Sequence, residues 1–140
     1  MMKSKSVEEI NLGDSAEFAR KISDNDLIRF VEAIGDLTSA GVDKTHMPLN
    51  AIKENTVSEM LSAGLISNVL HSYLPGPGMR YLSQTLYFRQ PVFVGDTITV
   101  RVTVTDKSEK ENWIELKTIC MNQRGHIVID GTASVLLPGN

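Results

Sequence analysis

Thr56-Val57-Ser58-Glu59-Met60-Leu61-Ser62-Ala63-Gly64-Leu65-Ile66-Ser67-Asn68-Val69-Leu70-His71-Ser72-Tyr73 has the spacing of one helix. Val57, Met60, Leu61, Leu65, Ile66, Val69 and Leu70 are apolar, and few charges follow Glu59. A helix this apolar in a water-soluble chain is expected to be buried on most sides. Ala63 and Gly64 are small enough to let it lie close against a sheet. Pro75-Gly76-Pro77-Gly78 then stops it.

The residues beyond that stop alternate with period two, the signature of half-buried strands. Leu82, Gln84, Leu86 and Phe88 alternate with Tyr81, Ser83, Thr85 and Tyr87. Ile98, Val100, Val102 and Val104 alternate with Thr97, Thr99, Arg101 and Thr103. A polar turn from Asp106 to Asn112 leads to a strand over Trp113–Met121. Asn122-Gln123-Arg124-Gly125 forms a hairpin turn, and His126 to Leu137 is the last strand.

Upstream, residues 14–22 read as a weaker strand. Ser23 caps a helix running to about Ile34, with Asp26 completing a capping box. Gly35 ends it. Residues 37–53, with Gly41 and Pro48, form an irregular loop, and long loops in small domains are often functional. These elements predict an α+β fold, an antiparallel sheet wrapped around a long central helix. Residues 1–140 form a single domain, as length alone suggests. The open sheet edges favour pairing with a second chain.

Composition narrows the function classes. Hydrophobic residues are 41% and charged residues 22%, which is ordinary for a globular domain. The net charge of −3 leaves no basic surplus for nucleic-acid phosphates. No apolar run reaches the ~20 residues of a membrane span. The opening residues carry Lys3 and Lys5 without an apolar run, so no secretory signal is expected and the compartment is expected to be cytoplasmic. The single cysteine, Cys120, is expected to be a buried thiol.

His46, His71 and His126 show no metal-ligand spacing with one another or with Cys120, so no metal site is expected. Gly76-Pro77-Gly78 is too rich in proline to cradle a phosphate and reads as a turn. Asp36, Asp43, Ser58 and Glu59 remain. A carboxylate at a loop entrance can act as a general base. The start of a buried helix offers backbone N–H groups to a developing oxyanion. Taken alone, these residues are accounted for more simply by a C-cap and a turn aspartate.

Leu61-Ser62-Ala63-Gly64-Leu65-Ile66-Ser67, Leu74-Pro75-Gly76-Pro77-Gly78, Tyr81-Leu82-Ser83-Gln84 and Pro91-Val92-Phe93-Val94-Gly95-Asp96-Thr97 together resemble the MaoC-like dehydratases. These are the (R)-specific enoyl-CoA hydratase group of the hotdog superfamily, and the resemblance runs from about Leu12 to Leu137. It implies a hotdog fold, usually dimeric, and a lyase of fatty acid metabolism. The reaction adds water to a trans-2-enoyl thioester carried on CoA or acyl carrier protein. No cofactor is implied.

The resemblance also implies site residues. The family motif G-D-x-N-P-x-H-x-D reads Gly35-Asp36-Leu37-Thr38-Ser39-Ala40-Gly41-Val42-Asp43. Asp36 matches the family base, whereas Gly41 occupies the histidine position. His46, ten residues after Asp36, is the nearby substitute. The A-H-G-M-L signature reads Val57-Ser58-Glu59-Met60-Leu61, which leaves the backbone N–H of Glu59 as the oxyanion donor. Ser67 matches a serine that supports the site. Asp43, Ser58, Gly78 and Tyr81 fall on the substrate side.

A positioned acid–base group is worth ~10²–10⁴ in rate. Three expectations follow from its loss at Gly41. One is a hydratase or dehydratase using Asp36 with an atypical partner. Another is a non-catalytic acyl-thioester-binding subunit, forming a homodimer or pairing with a competent chain. The third is a hotdog thioesterase that uses the Glu59 carboxylate.

Overall fold

The computed structural model describes residues 5–34 and 57–139. After a short 3₁₀ turn at Val7–Glu9, the elements are β1 (Ser15–Lys21), α1 (Asp24–Ala33), α2 (Glu59–Ser72), β2 (Arg80–Gln84), β3 (Tyr87–Phe88), β4 (Thr97–Ser108), β5 (Trp113–Met121) and β6 (Ile127–Leu136). All pairings are antiparallel, in the order β1-β4-β5-β6-β2, and β3 also pairs with β6.

The sheet curls round α2 because one face of each long strand is apolar. Ile98, Val100, Val102 and Val104 of β4 are buried, as are Ile114, Leu116 and Cys120 of β5. Ala133 and Val135 of β6 complete that face. Against it α2 sets Ile66, Val69 and Leu70, each fully buried. Burial of side chains this size stabilises the fold by ~1.5–3 kcal/mol each. A register shift between Cys120 and Met121 leaves Val128 as an extra residue in β6, so Val128 and Ile129 are both buried. This is the hotdog arrangement expected from the sequence.

Four details depart from expectation. Helix α2 starts at Glu59 rather than Thr56 and ends at Ser72, with Tyr73 as its C-cap. It is also less enclosed than its composition suggests: Glu59, Met60, Gly64, Asn68 and His71 are exposed along one stripe. The stripe is hard to see in the sequence because Met, Gly and Asn stand where charges normally mark a wet face.

The expected strand over residues 81–88 is two strands. A Cβ at Gly131 would lie 1.9 Å from the Thr85 carbonyl oxygen, so the chain folds inward over a glycine at the break. Thr85 closes it, donating its N–H to the Thr132 carbonyl at 2.9 Å. Finally, β4 continues through Asp106 to Ser108, past the point where a turn was expected. A register shift between Val104 and Asp106 carries the pairing onward to Ser108 opposite Trp113.

The first helix keeps its predicted cap. The Ser23 hydroxyl accepts from the Asp26 N–H at 3.1 Å, and the Asp26 carboxylate accepts from the Ser23 N–H at 2.9 Å. Its inner face sets Leu27 and Val31 against the half-buried Ile28 and Val94, a small cluster apart from the main core.

Candidate active site

Of the residues singled out in the sequence, Ser58, Glu59, Ser67, Gly78 and Tyr81 lie in the described structure. Asp36, Gly41, Asp43 and His46 lie outside the described residues.

Ser58 is the N-cap of α2. Its carbonyl accepts from Leu61 at 3.0 Å and from Ser62 at 3.4 Å, while its hydroxyl makes no capping bond. The N–H groups of Glu59 and Met60 have no partner inside the helix. With the helix dipole they make this end electropositive. The Glu59 side chain is exposed, and its backbone can serve an oxyanion whichever way that carboxylate turns.

Ser67 and Tyr81 meet at the other end of α2, eight residues on, roughly 12 Å at the helical rise. Ser67 is half-buried on the helix. Tyr81 comes from β2, which begins after the turn through Gly76 and Gly78. Both glycines take positive φ, +109° and +90°. A Cβ at Gly78 would also touch Pro138 Cγ at 3.0 Å. Gly78 therefore shapes the turn that delivers Tyr81. Burial pushes the Tyr81 phenol up to about 12, and a side-chain hydrogen bond with Ser67 acts in the opposite direction. The residue as a whole keeps 37% exposure.

Sequence reasoning missed a third member of this group. His71 Nδ1 lies 3.3 Å from Ser67 Oγ and 3.0 Å from the Ser67 carbonyl oxygen. Its ring stands edge-on to Tyr81 with centroids 6.4 Å apart. The signal was the i, i+4 spacing of Ser67 and His71 on one helix.

A cleft of about 510 Å³ runs along the open stripe of α2. Met60, Leu61, Gly64, Leu65 and Asn68 line it on the helix side, with Phe18, Arg20 and Phe30 opposite. An adjoining hollow of about 290 Å³ shares Arg20, Phe30, Leu61 and Leu65 and adds Asp26 and Arg29. Burial would raise the Asp26 carboxyl, but the Ser23 hydrogen bonds and the Arg20 guanidinium outweigh it and hold the pKa below the usual value. The cleft thus has an apolar floor, with guanidinium groups at one side. Among the described residues no cluster of three His, Cys, Asp or Glu side chains could hold a metal ion.

The MaoC-like domain family model matches residues 8–121. The chain belongs to the MaoC-like domain family. An (R)-specific enoyl-CoA hydratase of Rhodospirillum rubrum is 39% identical to it over 131 residues, 94% of this chain and 90% of the relative. A 3-hydroxybutyryl-CoA dehydratase of Methylorubrum extorquens is 33% identical, covering 94% of this chain and 83% of the relative. Among solved structures, the unliganded R-hydratase PhaJ1 of Pseudomonas aeruginosa superposes with a TM-score of 0.82 at 35% identity. That match covers 96% of this chain and 86% of the other.

Within this MaoC-like chain, the described structure brings Ser67 and Tyr81 together and adds His71 to them. It separates that group from Ser58 and Glu59 by the length of the cleft. No helix among the described residues is long and apolar enough to cross a membrane.

Proposed function

We propose that this MaoC-like chain is an (R)-specific hydratase or dehydratase of enoyl thioesters carried on CoA or acyl carrier protein. The observation that carries the reading is the elongated apolar cleft on α2. It begins at Met60, beside the helix start that can hold a thioester oxyanion, and ends at Asn68, next to Ser67. An acyl-pantetheine is a long, narrow, largely apolar ligand with phosphates farther along, and Arg20 and Arg29 offer guanidinium groups for those. The similarity to the R. rubrum and M. extorquens proteins supports the same substrate class.

In this mechanism Asp36 takes a proton from the water whose oxygen adds to the β-carbon, and returns that proton to the α-carbon as the enolate collapses. The positive start of α2, with the Glu59 N–H, stabilises charge on the thioester oxygen. Gly41 cannot hold that water, so the hydration rate is lower than in chains with the complete motif by up to ~10²–10⁴. The same substitution favours a second reading, an acyl-thioester-binding subunit that works beside a competent chain. Both readings need the cleft. Gly64→Phe places a ring in it, and nothing lies within 4 Å of a Cβ at that position. Its affinity for butyryl-CoA is expected to fall at least tenfold by calorimetric titration. Unchanged affinity would remove the cleft from the site.

Leu82 on β2 and Tyr87 and Phe88 on β3 are exposed on the strands that pair with β6 at this end of the sheet. A second copy of this chain, pairing edge to edge, covers them and completes the sheet.

A further inference from the structure

We propose that the open stripe of α2 receives the pantetheine arm of the substrate rather than its acyl chain, and that Asn68 is a specificity-determining residue that donates a hydrogen bond to an amide carbonyl of that arm. This rests on the enoyl-thioester function proposed above and adds which half of the ligand the cleft takes.

Met60, Gly64 and Asn68 stand four residues apart on α2, so they form one row that runs from the helix start. All three line the cleft. Gly64, in the middle, has no side chain, and nothing lies within 4 Å of a Cβ placed there. A ligand can therefore lie flush on the helix between Met60 and Asn68. Among the described residues, Asn68 is the only uncharged polar side chain in the cleft wall. Ser72, one turn on, donates its hydroxyl to Asn68 Oδ1 at 3.2 Å. No acceptor among the described residues meets Asn68 Nδ2. Both N–H groups of the carboxamide are left for a ligand.

An acyl chain has nothing to offer those N–H groups. Laid over Asn68, it would strip them of water and leave them unpaired, a direct loss of affinity. Pantetheine alternates short methylene runs with amides, and the cleft alternates in the same order. Met60, Leu61 and Leu65 supply apolar surface near the helix start, and Asn68 follows. The nine residues from Glu59 to Asn68 span roughly 13 Å of helical rise. The Asn68 side chain leans back toward the helix start, which shortens that span. From a thioester carbon to the second amide carbon of pantetheine is an extended run of nine bonds, roughly 11 Å at standard bond lengths. A thioester oxygen at the Glu59 N–H therefore sets the second amide beside Asn68.

The groups beyond that amide find matching partners. The arm continues with a carbon bearing two methyl groups, and Phe18 lines the cleft on that side. The Phe18 ring is stacked on Tyr73, the C-cap of α2, with centroids 6.0 Å apart and 27° between the planes. The pair forms a fixed apolar wall for those methyls. Arg20 lies two residues after Phe18 on β1 and lines both the cleft and the adjoining hollow. Its Nη2 donates to Asp26, which holds the guanidinium at the boundary where a phosphate would follow. The tail of an acyl chain has neither a phosphate nor an amide to place at these points.

Calorimetric titration of the full chain with coenzyme A, butyryl-CoA and octanoyl-CoA separates the arm from the acyl chain. Asn68 is exposed on the helix, where alanine is the better helix former, so Asn68→Ala keeps the fold and a thermal melt checks it. This variant is expected to bind all three ligands ~5–10-fold more weakly, the worth of one hydrogen bond. Asn68→Asp keeps an acceptor for Ser72 but has no N–H to offer, and is expected to weaken all three at least as much. An Asn68→Ala chain that binds coenzyme A as well as wild type does overturns the inference. A change confined to octanoyl-CoA also overturns it, because the acyl chain would then occupy the cleft, while the enoyl-thioester function would stand. A wild-type chain that binds none of the three overturns both.

Discussion

Gly131→Ala tests how the sheet edge that carries Tyr81 is built. A Cβ at Gly131 would sit 1.9 Å from the Thr85 carbonyl oxygen, 2.7 Å from its carbon and 3.3 Å from Leu86 Cα. All three are backbone atoms, so no flexible side chain can give way. Reaching the 3.4 Å of ordinary contact requires the Thr85 carbonyl to move by roughly 1.5 Å (3.4 − 1.9). Two hydrogen bonds depend on that segment: Thr85 N–H to the Thr132 carbonyl, and Thr132 N–H to Thr85 Oγ1, both 2.9 Å. At ~1 kcal/mol each, and with overpacking strain of ~1–3 kcal/mol, the loss is about 3–5 kcal/mol. Urea denaturation measures it. Gly64→Ala is the control of opposite sign. That glycine lies inside α2 with open space around its missing Cβ, so alanine is expected to stabilise by ~0.5–1 kcal/mol. A Gly131→Ala protein within ~0.5 kcal/mol of wild type would refute the close approach and the break between β2 and β3.

Two further outcomes can be checked. Burial pushes the Cys120 thiol up to about 12, so between pH 9 and 12 only the unfolded chain forms the thiolate. Stability present below pH 9 is then lost as pH rises, by ~1.4 kcal/mol per unit. Cys120→Ala should lack that part of the slope between pH 9 and 10, and iodoacetamide should label Cys120 only on unfolding. An identical slope in the variant would show that the thiol is not the cause. Sedimentation velocity should give a particle of two chains. Leu82→Lys on the β2 edge should shift it to one, and a dimer that survives this change would move the interface elsewhere.

Much of the architecture was legible because its causes are local. Ile98, Val100, Val102 and Val104 are buried and their neighbours reach water, so alternation alone marks β4. Ser23 and Asp26 sit three residues apart, and the capping box follows. The break between β2 and β3 was not legible because its cause, Gly131, lies far along the chain and acts through a steric contact. The extension of β4 through Asp106 was hidden by polar residues that look like a turn, although the partner strand β5 holds them in register.

At the site, Ser67 and Tyr81 were named from family resemblance, and the structure sets His71 against both. His71 escaped because a lone histidine carries no signal until the serine one turn earlier is seen beside it. The open stripe on α2 escaped because Met60, Gly64 and Asn68 do not look like a solvated face.

The most direct measurement is hydration of crotonyl-CoA by the purified chain, with chiral analysis of the product and Asp36→Asn as control. The account predicts 3-hydroxybutyryl-CoA of the R configuration, formed at a rate that falls at least ~10²-fold in the Asp36→Asn variant. Product of the S configuration, turnover indifferent to Asp36, or no hydration of an acyl-CoA that the chain binds would contradict it. The last of these would leave acyl-thioester binding without catalysis as the function of this chain.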